Sequence, residues 1–218
     1  MPPFLDSTSA GYATLTDLIP RLALIVTLAG LAGCSTTTGS VSSTASYGLK
    51  PQSLTVCSGY GCKIKEKFSI STREQKRLAR IMRPAKASAK AERRAVKRAI
   101  AFLEKVAQRN LRFARDVKKS YIKHSGKRGQ MDCIDESLNT TGYLYFMRSA
   151  GLLTHHKPTR NYAERGWIVT GHPHKAAVMT DKSGQHWVVD SWFRDNGGVP
   201  DIMPYRAWKK RSGTSQSS

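Results

Sequence analysis

The segment Gly129-Gln130-Met131-Asp132-Cys133-Ile134-Asp135-Glu136-Ser137, followed by two short apolar runs around a tight turn, constrains this chain most. Asp132 is a good helix N-cap, and Asp135 stands where a reciprocal capping side chain belongs. The apolar positions Ile134, Leu138, Leu144 and Tyr145, with Thr141 among them, predict a buried helix from Cys133 to about Met147, stopped by Gly151. Ala176 to Met179 and Trp187 to Asp190 read as β-strands, and Asp181-Lys182-Ser183-Gly184 reads as the turn of a hairpin between them. Trp167-Ile168-Val169 is a third short run of the same kind. A helix packed on an antiparallel sheet makes the fold class α+β.

Upstream, Val56, Ile64 and Phe68 flank the Gly-rich turn of a predicted hairpin between Ser53 and Ser71. Ser71 or Thr72 can cap a helix carrying Leu78, Ile81 and Met82 on one face, ended by Pro84. A longer helix from about Ser88 repeats Val96, Ile100, Leu103 and Val106 at helical spacing, with Arg93, Arg94, Lys97, Arg98 and Lys105 around its outer face. The basic run continues from Asn110 to Lys127, with a break at Ser125-Gly126, and Leu152 to Asn161 reads as loop.

Residues Leu22 to Gly33 are uniformly apolar but shorter than the about 20 residues that span a membrane. They suit a secretory signal, and Leu31-Ala32-Gly33-Cys34 resembles the lipobox of bacterial lipoproteins. That resemblance implies lipidation of Cys34 after removal of residues 1–33 and anchorage to a membrane of the bacterial cell envelope, facing the periplasm. Residues 34–50 are small and polar, a tether. The remaining divisions are a hairpin and basic helical region (51–127), a core (128–208) and a disordered tail (209–218). The formal net charge is +21, which draws a protein to polyanions. In the envelope these are lipid headgroups and anionic polymers; no nucleic-acid motif is visible.

Cys57 and Cys62 flank Ser-Gly-Tyr-Gly, and in an oxidising compartment they form a local disulfide. Cys133 is then a lone thiol. The alternatives are pairing of Cys133 with Cys57 or Cys62, or a small buried apolar role. A metal site is not expected, because one C-x4-C pair lacks partners, and no cofactor motif is present. A thiolate at a helix N-terminus is stabilised, which predicts a lowered pKa for Cys133 and a possible oxyanion donor in its N–H, although Asp132 and Asp135 oppose the charge. His174 leads the first hairpin strand and Asp190 ends the second, so one hairpin brings them side by side. His172 is a rival base. His155 and His156 read as loop surface, and Trp187 and Trp192 as core or cleft wall.

Asp132-Cys133-x-Asp135, His174 leading Ala176-Ala177-Val178, and Trp187-Val188-Val189-Asp190 resemble the transglutaminase-like cysteine peptidase superfamily, over about residues 128 to 193. The resemblance implies a papain-like core with the nucleophile at a helix N-terminus against an antiparallel sheet. It further implies Cys133 as nucleophile, His174 as base, Asp190 as the residue orienting it, and acyl transfer from a protein or peptide-like amide. Papain-like enzymes often place an upstream glutamine in the oxyanion hole. Gln130 is the candidate, closer to Cys133 than that pattern has it.

Overall fold

The computed structural model describes residues 52–113, 116–118, 124–160, 162–167 and 173–211. The apolar run, Cys34, the tether, Ile168, Val169, His172 and the chain after Arg211 lie outside them. The coarse class is α+β, with helices packed on antiparallel sheet.

Strands β1 (Gln52–Ser58) and β2 (Ile64–Ile70) form the first hairpin, in register from Gln52 opposite Ile70 to Ser58 opposite Ile64. Val56, Phe68 and Ile70 turn inward. The turn is unusual: Gly59, Tyr60, Gly61 and Cys62 have φ of 81°, 72°, 65° and 59°. Two of these are not glycine, so the left-handed backbone must be held from outside. A disulfide between Cys57 and Cys62 closes it.

Ser71 caps helix α1 (Thr72–Met82) in a reciprocal box with Glu74. A 3-10 turn over Arg83–Ala87 takes up Pro84, and Ser88 caps helix α2 (Ala89–Leu111). The stripe Ala95, Val96, Ala99, Ile100, Leu103 and Val106 is buried. The helix stops at Leu111, well before Ser125-Gly126, because Arg112 turns left-handed (φ 53°) and Phe113 folds into the core. Phe113 lies so close to Gly129 that a Cβ there would meet it at 2.7 Å.

Helix α3 (Cys133–Ser149) starts at the predicted cap, and a hydrogen bond from Leu152 N–H to the Met147 carbonyl closes its end. Five strands follow: β3 (His156–Pro158), β4 (Ala163–Trp167), β5 (Pro173–Asp181), β6 (His186–Asp190) and β7 (Asp201–Pro204). All pairs are antiparallel, in the order β3-β5-β6-β7, and β4 follows β3 in pairing with β5. β3 arises inside the stretch read as loop, and β7 and the short helix α4 (Tyr205–Lys210) lie beyond the last predicted turn.

Alternation divides the sheet's side chains. Ala177, Met179 and Val189 join the core made by α1, α2, α3 and the hairpin. Ala176, Val178 and Val188 pack instead with Trp208 of α4. His174 and Asp190 share this second parity. Among the described residues no helix is long and apolar enough to cross a membrane.

Candidate functional site

The hairpin β5–β6 does what its length implies. Ala177 pairs with Val189, so Asp190 falls one step beyond, diagonal to His174 on the same face. The His174 ring reaches across, and its Nε2 lies 2.9 Å from Asp190 Oδ2, both side chains buried. Trp208 donates its Nε1–H to the same oxygen at 2.7 Å. Asp190 Oδ2 therefore serves two ring nitrogens, while Oδ1 has no partner among the described residues.

Aromatic rings enclose the imidazole. The centroids of Trp192, Phe193 and Trp208 lie 4.9, 5.2 and 5.5 Å from that of His174. With Nε2 committed to Asp190, His174 Nδ1 is buried and has no hydrogen-bond partner among the described residues; nor does Trp192 Nε1. Buried polar atoms without partners are rare in folded chains. Two of them among the described residues lie in this one aromatic box. Arg165 of β4, opposite His174 in register, stacks over Trp208 with its guanidinium carbon 4.7 Å from the ring centroid.

Cys133 is the first residue of α3 and is a free, buried thiol. Asp132 Oδ1 accepts from Ile134 and Asp135 N–H at 3.0 and 2.9 Å, which fixes the helix start. The backbone N–H of Lys175, one residue after His174, and that of Cys133 itself favour the thiolate. The lowered pKa expected at a helix N-terminus does not occur. Burial pushes the thiol up to about 11, and the charges of Asp132 and Asp190 add to it against the pull of those two N–H groups. Desolvation of the thiolate and nearby carboxylates outweigh the helix end. The structure thus joins His174 to Asp190 and brings Cys133 to the same strand. His174 Nδ1 has not closed on the sulfur.

The helix start is anchored to the disulfide turn. Asp135 accepts Tyr60 N–H at 2.8 Å and Cys62 N–H at 2.6 Å, and Asp132 accepts Gly61 N–H at 3.2 Å. Three N–H groups of the left-handed turn thus point at two carboxylates at the start of α3. Asn139 brackets Cys57, taking its N–H at 2.7 Å and giving to its carbonyl at 2.9 Å. Gln130 is buried below, its carbonyl accepting Gly59 N–H at 2.7 Å.

Sequence reasoning missed several groups. Trp208 lay at the edge assigned to the core, and only its spacing from Tyr205 after Pro204 hinted at a helix. His156 is corrected: it is buried, not loop surface, with Nδ1 2.8 Å from Glu92 Oε1. Glu92 also accepts the backbone N–H groups of Thr154, His155 and His156, at 2.6, 2.9 and 2.8 Å. Its acidic side chain lay inside a basic helix pattern, with no local sign of a buried partner. A set of buried acids around α3 was also unforeseen. Burial pushes Glu104 up to about 8, Asp116 to about 7 and Asp135 to about 6. Glu136, wholly enclosed beside Glu104, is pushed well above the usual carboxylate range by burial and then by that neighbour's charge. Among the described residues no His, Cys, Asp and Glu cluster could hold a metal ion.

No family model, no curated protein and no solved structure matches this chain.

Proposed function

We propose that the chain is a thiol-dependent acyl-transfer enzyme with a transglutaminase-like, papain-like core, using Cys133, His174 and Asp190 on a protein or peptide-like amide. The buried His174–Asp190 contact carries the reading, because it fixes one imidazole nitrogen and leaves Nδ1 for a thiol. In this scheme Nδ1 takes the Cys133 proton and the sulfur attacks the amide carbon. The imidazolium then protonates the leaving amine, and water or a second amine releases the acyl group. The reading requires the sulfur and Nδ1 to meet when substrate enters; catalytic contacts are often long before then. With Cys34 lipidated, the domain would work in the bacterial envelope, tethered to a membrane.

The raised thiol pKa favours a second reading: a non-catalytic envelope lipoprotein that holds anionic polymers or lipids and keeps Cys133 inert. Labelling with a peptide-like epoxide probe near neutral pH separates the two. The enzyme reading expects labelling of the full chain that disappears in Cys133→Ala and falls strongly in His174→Ala. Wild-type protein that stays unlabelled, or a His174→Ala variant labelled equally well, refutes it.

A further inference from the structure

The surface of α1 and α2 carries cations without counter-charges. Over residues 72–111 the sequence holds 13 Lys and Arg against 3 acids. All three acids are engaged. Glu74 closes the α1 capping box and pairs with Arg109 at 3.1 Å, and Glu92 and Glu104 are buried. The exposed cations therefore face solvent with no free carboxylate from their own helices. Arg73, Arg77 and Arg80 recur at four- and three-residue spacing and line, with Ile81, a shallow groove of about 540 Å³. None of the three has a carboxylate partner among the described residues. Arg77 lies over Phe102 of α2, 5.3 Å from the ring centroid, which ties this row to the helix bearing exposed Arg94 and Arg98.

We infer that this α1–α2 face is a docking surface for anionic phospholipid, with Arg73, Arg77 and Arg80 gripping headgroup phosphates. Guanidinium forks bind phosphate in pairs of hydrogen bonds, and four of the six cations of α1 and the turn after it are arginine: Arg73, Arg77, Arg80 and Arg83. The chemistry is charge alone. Among the described residues the exposed large apolar side chains are Val117, Leu138, Tyr145, Tyr162 and Val199, all outside α1 and α2, so beyond half-buried Ile81 in the groove the face offers no apolar wedge and no exposed ring on which a base could stack. A lipid surface is favoured over a free polymer by the apolar run and tether ahead of the domain, which hold it beside a membrane if Cys34 is lipidated. The inference does not depend on Cys133 chemistry.

Sedimentation of the full chain with phosphatidylcholine vesicles, and with vesicles that also contain phosphatidylglycerol, tests it. The ratio of the two partition coefficients removes any contribution common to both, including the anchor. Preference for anionic vesicles falls about fivefold for each cation removed from the contact. R73Q/R77Q/R80Q together should lower the ratio on the order of a hundredfold, while R73K/R77K/R80K keeps most of it. Removing the same charge elsewhere, in R148Q/K157Q/K182Q, should leave the ratio nearly unchanged, as should Cys133→Ala. An equal loss in the R148Q/K157Q/K182Q control, or an unchanged ratio in R73Q/R77Q/R80Q, overturns the proposal. So does duplex DNA that binds this face more tightly than vesicles do and is lost in the same triple variant.

Discussion

Glu92→Gln tests how one buried carboxylate organises the edge of the sheet. Oε2 accepts Thr154 N–H, Thr154 Oγ1–H and His155 N–H at 2.6, 3.0 and 2.9 Å, and Oε1 meets His156 N–H and Nδ1, both at 2.8 Å. Gln replaces one acceptor by an NH2 that faces donors, so at least two hydrogen bonds are lost. Bonds to a charged group contribute about 1.5–3 kcal/mol each, which gives a cost of about 4 kcal/mol. Proton linkage supplies an independent figure. Burial would raise the Glu92 pKa, but the bonds from His156, Thr154 and His155 overcome it and hold the carboxyl at about 2, against 4.5 for a free side chain. The folded state thus binds the proton less readily than the unfolded chain. The resulting stability is present above about pH 4.5 and is lost as pH falls toward 2, about 3 kcal/mol in all. The two figures agree within their precision. Urea denaturation of both proteins at pH 6 and near pH 2.5 should show a gap of 3–4 kcal/mol, on the order of these bond energies, that shrinks by more than half in acid. A gap below about 1 kcal/mol, within the range of an ordinary surface change, or one that ignores pH, refutes the reasoning.

Three other outcomes follow from the geometry. Trp208→Phe keeps the ring but removes the donor to Asp190, and should cost about 2 kcal/mol in urea unfolding. Replacing Cys57 and Cys62 by serine opens a short closed loop and should cost about 2 kcal/mol, with faster amide exchange at Tyr60 and Cys62, whose N–H groups the turn aims at Asp135. Glu104, raised to about 8, and Asp116, raised to about 7, hold protons in the folded state that the unfolded chain releases nearer pH 4. Their protonated contribution is complete only below about pH 4 and is lost as pH rises toward 8, so thermal stability should fall from pH 5 to pH 8, and Glu104→Gln should flatten the upper part of that fall.

The elements legible in the sequence were those fixed by local chemistry. Ser71 or Thr72, Ser88, and Asp132 with Asp135 announce three helix starts because a cap is a short-range bond between neighbours in the chain. The turn at Asp181 to Gly184 sets the β5–β6 hairpin, and hairpin length alone brings His174 near Asp190. What escaped depends on distant partners. β3 has three residues and exists through β5 and the Glu92 carboxylate, so no periodicity marks it. The end of α2 is set by Phe113 folding against Gly129, a contact no local pattern encodes. The thiol pKa was read from the helix end and its two neighbouring carboxylates, whereas the depth of Cys133 and the nearness of Asp190 come from tertiary packing.

The rate of Cys133 alkylation by a small neutral reagent, followed from pH 5 to pH 10 in wild type and His174→Ala, tests the central claim most directly. If His174 takes the thiol proton, wild type reacts measurably below pH 8 and the variant loses that reactivity, retaining only a rise toward the thiol's own high pKa of about 11. Coincident profiles, both climbing only in strong alkali, would contradict the account and leave Cys133 an inert buried thiol.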